Sequence, residues 1–424
     1  VIGSSEFQSF LDGESPMGSE STNRTSFGLN AVASGNYATA LGARASARGF
    51  GSTALGENAT ASGVHSTALG RRATASGSYS FALGYEASAS GSYSTASGSY
   101  TNASGQYATA LGALANSSGR MSTALGYGAT ASGRYSTALG DGTRASGEYS
   151  TALGSSANAS GPDSMALGTS SIAKGSNAVA LGRSSKAGAD SSVAIGQGAI
   201  ANYKSALAVG HNAESTGRNA SSFGHLAKAQ GLESTSLGVK SQAEGNYATA
   251  LGSGALANGS YSTALGSSSI AKGSHSLALG ADSTAGAKSS IAIGQGSIAN
   301  YKSALAVGHN AESTGRNASS FGHLAKAQGL ESTSLGVKSQ AEGNYATALG
   351  SGALANGSYS TSVGFGANAS GHGSTSVAGS ATGDNSTTLG RTSSANGRNS
   401  TALGYGSNAY GGDSTALGSE AKAS

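Results

Sequence analysis

A 14-residue repeat runs through nearly the whole chain, and it restricts the fold more than any other feature. The seven residues that begin at Asn36, NYATALG, recur with small changes at residues 106–112 and 246–252. The Gly that closes this motif falls at Gly28 and then at every fourteenth residue up to Gly364. Self-similarity at a fixed period indicates a repeat architecture, in which each unit packs mainly on its neighbours.

The repeat contains one irregular step and one duplication. Where the next Gly is expected the chain has Val377-Ala378, two residues are then missing, and the period resumes at Gly390. Residues 200–263 are identical to residues 298–361, an offset of 98 residues or seven units (98/14 = 7). The duplication therefore keeps the phase of the repeat, as expected for a solenoid into which whole coils can be inserted.

Each unit divides into two halves of seven residues, and most halves end in Gly. Alternating residues within a half indicate a β-strand of about five residues, and Gly provides the positive φ angle that a tight corner needs. A unit of 14 residues has no room for a crossover helix. We therefore expect an all-β fold in which consecutive strands coil into a parallel β-roll solenoid, with one coil for each unit.

The composition argues against a globular domain and against collagen. The 424 residues include 69 Gly but only 2 Pro, no Cys and no Trp. Collagen needs Gly at every third residue and abundant Pro, and an Ala-rich chain supplies too few large apolar side chains for a globular core. The formal net charge of +4 is weak for this length and implies no nucleic-acid partner. The sequence has no run of about 18 apolar residues, so we expect no membrane contact by this segment.

Residue parity assigns the faces of the coil. Ala38 and Ala40 share one face of the first strand, and Ala45 and Ala47 take the same parity seven residues later. We place these columns inside the roll, which predicts a narrow interior that admits only Ala, Ser or Gly. The opposite face of the second strand carries polar residues such as Arg48 and should be solvated.

A column of large apolar residues, the Leu stripe, occupies the opposite face of the first strand, beside Tyr37 and Thr39 and interrupted at Ser97. An apolar stripe of this length on the outside of a roll signals an interface, because each buried Leu contributes about 1.5–3 kcal/mol. We therefore predict an obligate homo-oligomer with the Leu stripe at its interface. The alternative is that Leu lies inside the roll and Ala packs outside. The predicted stripe residues are Leu41, Leu55, Leu69, Leu83, Leu111, Leu125, Leu139, Leu153, Leu167, Leu181, Ile195, Val209, Phe223 and Leu237.

No constellation of residues predicts a catalytic centre, a cofactor or a metal site. The chain has seven His and no Cys, and the His residues lack the spacing of a usual metal site. His211 and His309 follow a turn Gly, where they could lie near an anion or serve as ordinary turn residues. Gly-x-Gly strings such as residues 196–198 lack the strand–helix context of a phosphate loop. We therefore expect a protein that is not an enzyme.

Two further columns are candidates for ligand binding. Tyr residues recur at one position of the unit, where they could contact a ligand or stack on one another at the rim of a subunit interface. Arg residues are concentrated in the first third, where repetition would produce a basic striped face that attracts acidic glycans or collagen, or simply a solvated face. The Tyr column contains Tyr37, Tyr79, Tyr93, Tyr107, Tyr135, Tyr149, Tyr247 and Tyr261. The Arg residues are Arg44, Arg48, Arg71, Arg72, Arg120, Arg134 and Arg144.

The two ends of the chain differ from the repeat. Residues 1–23 do not follow it, and we expect them to be a linker, a cap or an addition introduced by cloning, whereas residues 24–424 form the repeat region. The chain stops within a unit at Ser424, which is typical of a segment cut from a longer protein. The start shows no signal-peptide pattern, so we expect an export signal and any anchor to lie outside this chain.

The unit SSVAIG at residues 191–196, held in strict phase with its neighbours, resembles the head repeat of trimeric autotransporter adhesins, the YadA-like head family. The resemblance covers residues 25–424 and implies a left-handed parallel β-roll assembled as a homotrimer. It also implies display on the surface of a Gram-negative bacterium, outside the cell, with a stalk and an outer-membrane anchor in a C-terminal region absent from this chain. Many units depart from the family pattern by using Leu for Ile, and Tyr or Thr for Val.

The resemblance implies that the chain is the head region of a bacterial surface adhesin. Its partners would be its own copies in the trimer and host extracellular-matrix proteins, host cells or cell-surface glycans. The alternative function is a passive structural spacer that displays another binding domain. The residues themselves predict the solenoid and its self-association, and adhesion follows from the resemblance alone.

Overall fold

The computed structural model describes residues 23–424, and all regular secondary structure in this range is short β-strand. This result confirms the all-β prediction for the described part of the chain. The expectation for residues 1–23 concerns a segment that, except for its last residue, lies outside the described residues. Two compact units divide the chain, Val1–Ser156 and Ala157–Ser424, and the strands of each unit are given separately below.

In the described part of the first unit, three-residue and two-residue strands alternate. The three-residue strands begin with Thr25–Phe27 and recur at every fourteenth residue to Thr151–Leu153. The two-residue strands begin with Val32–Ala33 and recur at the same interval to Arg144–Ala145. Strands of one kind pair only with their own kind and in parallel, for example Thr39 with Thr53 and Ser46 with Thr60. We call the sheet of three-residue strands sheet A and the sheet of two-residue strands sheet B.

The second unit has the same construction. Its sheet A strands recur every 14 residues from Met165–Leu167 to Thr375–Val377 and continue as Thr387–Leu389, Thr401–Leu403 and Thr415–Leu417. Its sheet B strands recur from Asn158–Ala159 to Asn368–Ala369 and continue as Ser380–Ala381, Ser394–Ala395, Asn408–Ala409 and Lys422–Ala423. The parallel β-solenoid of 14-residue coils predicted from the repeat is thereby confirmed in both units.

The strands are shorter than the predicted five residues because turns occupy nine residues of each 14-residue coil. The AB turn, which leads from sheet A to sheet B, takes four residues, as in residues 42–45, and the BA turn takes five, as in residues 48–52. Each turn holds a residue other than Gly in the left-handed region in most coils, such as Tyr37 at φ 59° and Arg44 at φ 58°. The alternating pattern of the sequence includes these residues, but the strands begin only after them, at Thr39 and Ser46.

Two columns of Gly serve the turns for different reasons. Gly42 has φ 126°, a conformation open only to Gly, and a Cβ there would lie 2.6 Å from the carbonyl oxygen of Gly56. Gly49 has no such φ angle, but a Cβ there would overlap the carbonyl oxygen of Gly63 in the next coil. The first column therefore sets the corner and the second allows adjacent coils to approach.

The interior consists of the predicted Ala columns. Ala38, Ala40, Ala45 and Ala47 are fully buried, whereas the Leu residues of sheet A are partly exposed, so the alternative with Leu inside the roll is wrong. Ser replaces Ala in many coils. Some of these Ser residues bond to the turn, as where the Ser52 hydroxyl donates to the carbonyl oxygen of Gly49 at 2.8 Å, whereas other hydroxyls, such as that of Ser94, have no hydrogen-bond partner within the described part of the chain.

The interior is slightly more permissive than predicted. Thr101, Thr143 and Thr388 are also buried, so the prediction that only Ala, Ser or Gly fits is wrong at these coils. In two of them the hydroxyl has a partner close by: Thr143 donates to the carbonyl oxygen of Gly140 at 2.7 Å, and Thr388 donates to the Ser376 hydroxyl at 3.0 Å. A local hydrogen bond thus accompanies the additional methyl group at these positions.

The irregular step of the repeat is an AB turn that is shorter by two residues. Ala378 and Gly379 alone join the strands Thr375–Val377 and Ser380–Ala381. Both sheets keep their pairing across this coil, with Val377 opposite Leu389 and Asn368 opposite Ser380. The missing residues therefore come from the turn, and the register of the strands is conserved.

Candidate interaction surfaces

All predicted residues of the Leu stripe lie at the third position of a sheet A strand and point away from the Ala interior. None of them is buried in the single chain, and Leu55, Leu125 and Leu237 are 43%, 40% and 45% exposed. In each unit, in-register pairing places consecutive members on adjacent coils, as for Leu41 and Leu55. The geometry of the stripe agrees with the sequence analysis, and its burial between subunits stays a prediction.

The same column continues past the predicted set. In the second unit it runs through residues such as Leu279, Phe321 and Leu349 to Leu417 at the third position of the sheet A strands. The continuation was visible in the sequence, because the 14-residue phase carries the column through the duplicated block. Each unit thus presents an uncovered apolar column, and a surface of this kind on a single chain marks an association site.

The Tyr column lies in the BA turn and forms ladders of stacked rings. Tyr79, Tyr93 and Tyr107 stack face to face with centroids 4.9 Å apart at both steps. Tyr135 and Tyr149 stack at 4.8 Å, as do Tyr247 and Tyr261. The predicted stacking is therefore confirmed, and its place at the rim of a subunit interface stays a prediction. Since neighbouring rings occupy each other's faces, a ligand would meet mainly ring edges and hydroxyl groups.

Two residues outside the predicted column extend the first ladder. Phe50 contacts Tyr37 at 5.5 Å between ring centroids and His65 at 5.3 Å, and His65 stacks on Tyr79 at 5.2 Å. A continuous chain of six rings therefore runs from Tyr37 to Tyr107. Phe50 was missed because it lies one residue before the Tyr position of its own coil, where Gly51 stands.

The predicted basic face is partly neutralised. Three of its Arg residues form ion pairs with Glu residues of an adjacent coil: Arg71 with Glu57 at 3.4 Å, Arg72 with Glu86 at 2.8 Å and Arg134 with Glu148 at 3.4 Å. The hydrogen bond from Arg72 holds the pKa of Glu86 below its ordinary value. The remaining members, Arg44, Arg48, Arg120 and Arg144, are exposed and make no ion pair within the described residues.

The His residues of the duplicated block form two stacked pairs. His211 lies parallel to His225 with ring centroids 5.1 Å apart, and His309 and His323 repeat this arrangement. Both pairs lie in AB turns, in agreement with the interpretation as turn residues. Residues 23–424 contain no group of three or more His, Cys, Asp or Glu side chains arranged to hold a metal ion. The described residues also include no helix long and apolar enough to cross a membrane.

The comparison with family models supplies the decisive observation. The model described as YadA head domain repeat (2 copies) matches residues 25–45, 47–73, 61–87, 75–101, 89–115, 103–120, 117–143, 145–171, 173–199, 229–255, 245–269, 257–283, 271–297, 285–311, 327–353, 355–377, 381–407 and 409–424. The chain belongs to the YadA head family. The resemblance drawn from residues 191–196 is thereby confirmed, and those residues lie within a matched segment. No curated protein matches the chain.

The longest stretches of the YadA-like head outside the matched segments are residues 200–228 and 312–326. Both lie in the duplicated block, where Tyr203 replaces the Gly of the BA turn. The coil is nevertheless retained, since Leu207 pairs in register with Val193 and the amide of Ala206 donates to the carbonyl oxygen of Tyr203 at 3.0 Å. The YadA head fold therefore accommodates these coils although their sequence departs from the family pattern.

Proposed function

We propose that this YadA-like head attaches a bacterium to host extracellular-matrix proteins or host cells and has no catalytic role. The observation that carries the proposal is membership of the YadA head family over nearly the whole described chain. A repeated surface suits this task, because many weak contacts on one rigid scaffold multiply into strong attachment.

The head acts as a homotrimer in this proposal, with the Leu stripe of each chain buried against the other two. The partly exposed Leu residues support it, because each one buried contributes about 1.5–3 kcal/mol, and the sum over the stripe exceeds the 5–15 kcal/mol of a typical domain. Family membership supports a left-handed roll, exposure on the bacterial surface and attachment to the outer membrane through a C-terminal region outside this chain.

The alternative function is a spacer that carries another binding domain away from the cell. One observation favours it for the first unit: the surface at the start of the BA turns, next to sheet B, is small and polar there. It bears an unbroken column of exposed Ser residues from Ser62 to Ser146, with no charged residue within the column. A surface of this kind offers few of the aromatic and Arg residues that dominate binding energy.

Binding of the purified 424-residue chain to immobilised collagen, fibronectin and laminin, and to cultured host cells, distinguishes the two functions. Saturable binding to at least one matrix protein or to cells is expected for an adhesin. The proposal fails if the correctly folded oligomer binds none of these surfaces, and the spacer function then applies to this segment.

A further inference from the structure

Several charges on adjacent coils of this protein are arranged as opposite pairs. Residues 14 apart lie side by side, and five such pairs form ion pairs between 2.8 and 3.6 Å. Like charges placed opposite each other on neighbouring strands would repel, so pairing of this kind is the expected arrangement. The ion pairs are Glu57–Arg71, Arg72–Glu86, Arg134–Glu148, Glu214–Lys228 and Glu312–Lys326.

A run of three cations departs from this arrangement. Lys288, Lys302 and Arg316 follow one another at 14-residue intervals in the BA turns of the second unit, and all three are exposed. Backbone hydrogen bonds hold their coils together, since the amide of Ser303 donates to the carbonyl oxygen of Lys288 and that of Asn317 to Lys302, each at 3.0 Å. None of the three cations makes an ion pair within the described residues. We call these three residues the cation column.

The cation column presents three positive charges in a straight line at the coil spacing, about 4.8 Å. The preceding coil has the uncharged Ser274 at this position. In the coil that follows, Glu331 accepts a hydrogen bond from the side-chain amide of Asn317 at 3.4 Å and makes no ion pair with Arg316. The mutual repulsion of three aligned cations is relieved only by counterions or by an anionic ligand. The column is therefore a strip of positive potential along one edge of the roll.

The duplicated block contains a natural counterpart with a different charge. An offset of 98 residues relates Lys302 and Arg316 to Lys204 and Arg218, but the residue that corresponds to Lys288 is Asp190, just outside the duplicated segment. The formal charge of this counterpart is +1 (−1 + 1 + 1), against +3 for the cation column. Asp190 is also engaged locally, because its carboxylate accepts a hydrogen bond from the amide of Ser176 at 3.0 Å.

We propose that the cation column binds a linear sulfated polysaccharide, with one acidic group of the polymer facing each coil. Exposed polar groups flank the column, namely Asn300, the half-exposed Tyr301 and Asn317, and they suit the hydroxyl groups of a sugar chain. Because the three charges lie in one row, they match a single extended polyanion. Single-stranded nucleic acid would instead require aromatic platforms on which its bases stack, and Tyr301 is a single exposed ring beside the column. This proposal rests on the adhesive function proposed above and names a ligand class and a site for it.

Binding of a size-defined heparin fragment to the 424-residue chain tests the proposal. Lys288→Asp gives the cation column the charge of its counterpart, and we expect about a tenfold loss of affinity at low salt, which shrinks as salt screens the charges. Lys338→Asp is the matched control, because this exposed Lys lies in the opposite, AB turn of the same unit and its replacement changes the net charge equally. The affinity of the Lys338→Asp variant for heparin should stay within twofold of that of the parent chain. Asp190→Lys should create a second column and double the number of fragments bound per chain.

Three results would overturn the proposal. One is no heparin binding by the parent chain, another is an equal loss in the Lys288→Asp and Lys338→Asp variants, and the third is equally tight, Lys288-dependent binding of DNA of matched charge. Attachment to matrix proteins and cells is measured on the same samples. If the chain attaches to cells but binds heparin independently of Lys288, only the proposed binding site is wrong. If the chain binds heparin through Lys288 but attaches to no host surface, only the proposed adhesive function is wrong.

Discussion

The rings of Tyr93 and Tyr107 lie parallel, with an interplanar angle of 9° and centroids 4.9 Å apart, although both residues have left-handed backbone angles, φ 61° and 58°. The left-handed conformation costs a residue with a Cβ about 1–2 kcal/mol, and an aromatic pair returns about 0.5–1.5 kcal/mol beyond the area it buries. Stacking between coils thus offsets much of the backbone strain in the BA turn.

Replacement of Tyr93 separates these two effects. Tyr93→Val removes both ring contacts and places a β-branched side chain in the left-handed region, and we expect it to destabilise the solenoid by about 2–4 kcal/mol. Tyr93→Asn removes the same contacts but suits the backbone, and we expect a loss of about 1 kcal/mol or less. Urea denaturation followed by circular dichroism measures both. Equal losses would show that backbone strain contributes nothing at this position.

Gly residues at two different turn positions give opposite predictions. A Cβ on Gly105 would overlap the carbonyl oxygen of Gly119, whereas a Cβ on Gly128, at φ 61°, would meet no atom within 4 Å. We expect Gly105→Ala to lower the free energy of unfolding by more than about 2 kcal/mol, and Gly128→Asn to leave it unchanged or raise it by about 0.4–1 kcal/mol. Thermal denaturation of the two variants provides the comparison, and a benign Gly105→Ala substitution would contradict the close approach of the coils.

Two additional methyl groups at one position of the Ala interior should already lower the stability of the solenoid. Ala110 is fully buried, and Thr109, its neighbour in the same strand, points outward and is half-buried. We expect Ala110→Val to destabilise the chain by about 1–3 kcal/mol through overpacking, and Thr109→Val to change its stability by less than 0.5 kcal/mol, the usual range for a surface site. Chemical denaturation measures both variants. Tolerance of Val at position 110 would mean that the roll can widen.

The Leu stripe should control the oligomeric state. We expect the parent chain to be a trimer in solution and the double substitution Leu125→Asp and Leu139→Asp to dissociate it, because two charges per chain would be buried at the interface. Ser132→Asp is the control, since this exposed residue lies at the start of a BA turn and outside the Leu stripe. Light scattering coupled to size exclusion gives the masses. A soluble monomeric parent, or a trimer that withstands both Asp residues, would disprove the predicted interface.

The sequence predicted those features that depend on periodicity and residue size. The 14-residue step fixed the coil and its register, and the parity of Ala38 and Ala40 identified the interior. Strand length was overestimated because Tyr37 and Arg44 continue the alternating pattern while their backbone is left-handed, and no composition rule assigns this conformation to Tyr or Arg. The 14-residue step also places Lys288 beside Lys302, but which charged side chains form ion pairs depends on side-chain geometry that the repeat does not specify.

The shortened AB turn at Ala378-Gly379 has a practical consequence. Two residues are absent from this turn and both neighbouring strands remain paired, so the length of an AB turn is decoupled from the hydrogen-bonded ladder. A turn that tolerates the loss of two residues should also tolerate inserted residues. Foreign peptides inserted into AB turns would therefore be displayed at a chosen position along a unit. The choice of turn would set this position in steps of one coil, which suits the scaffold to the display of antigens at defined spacings.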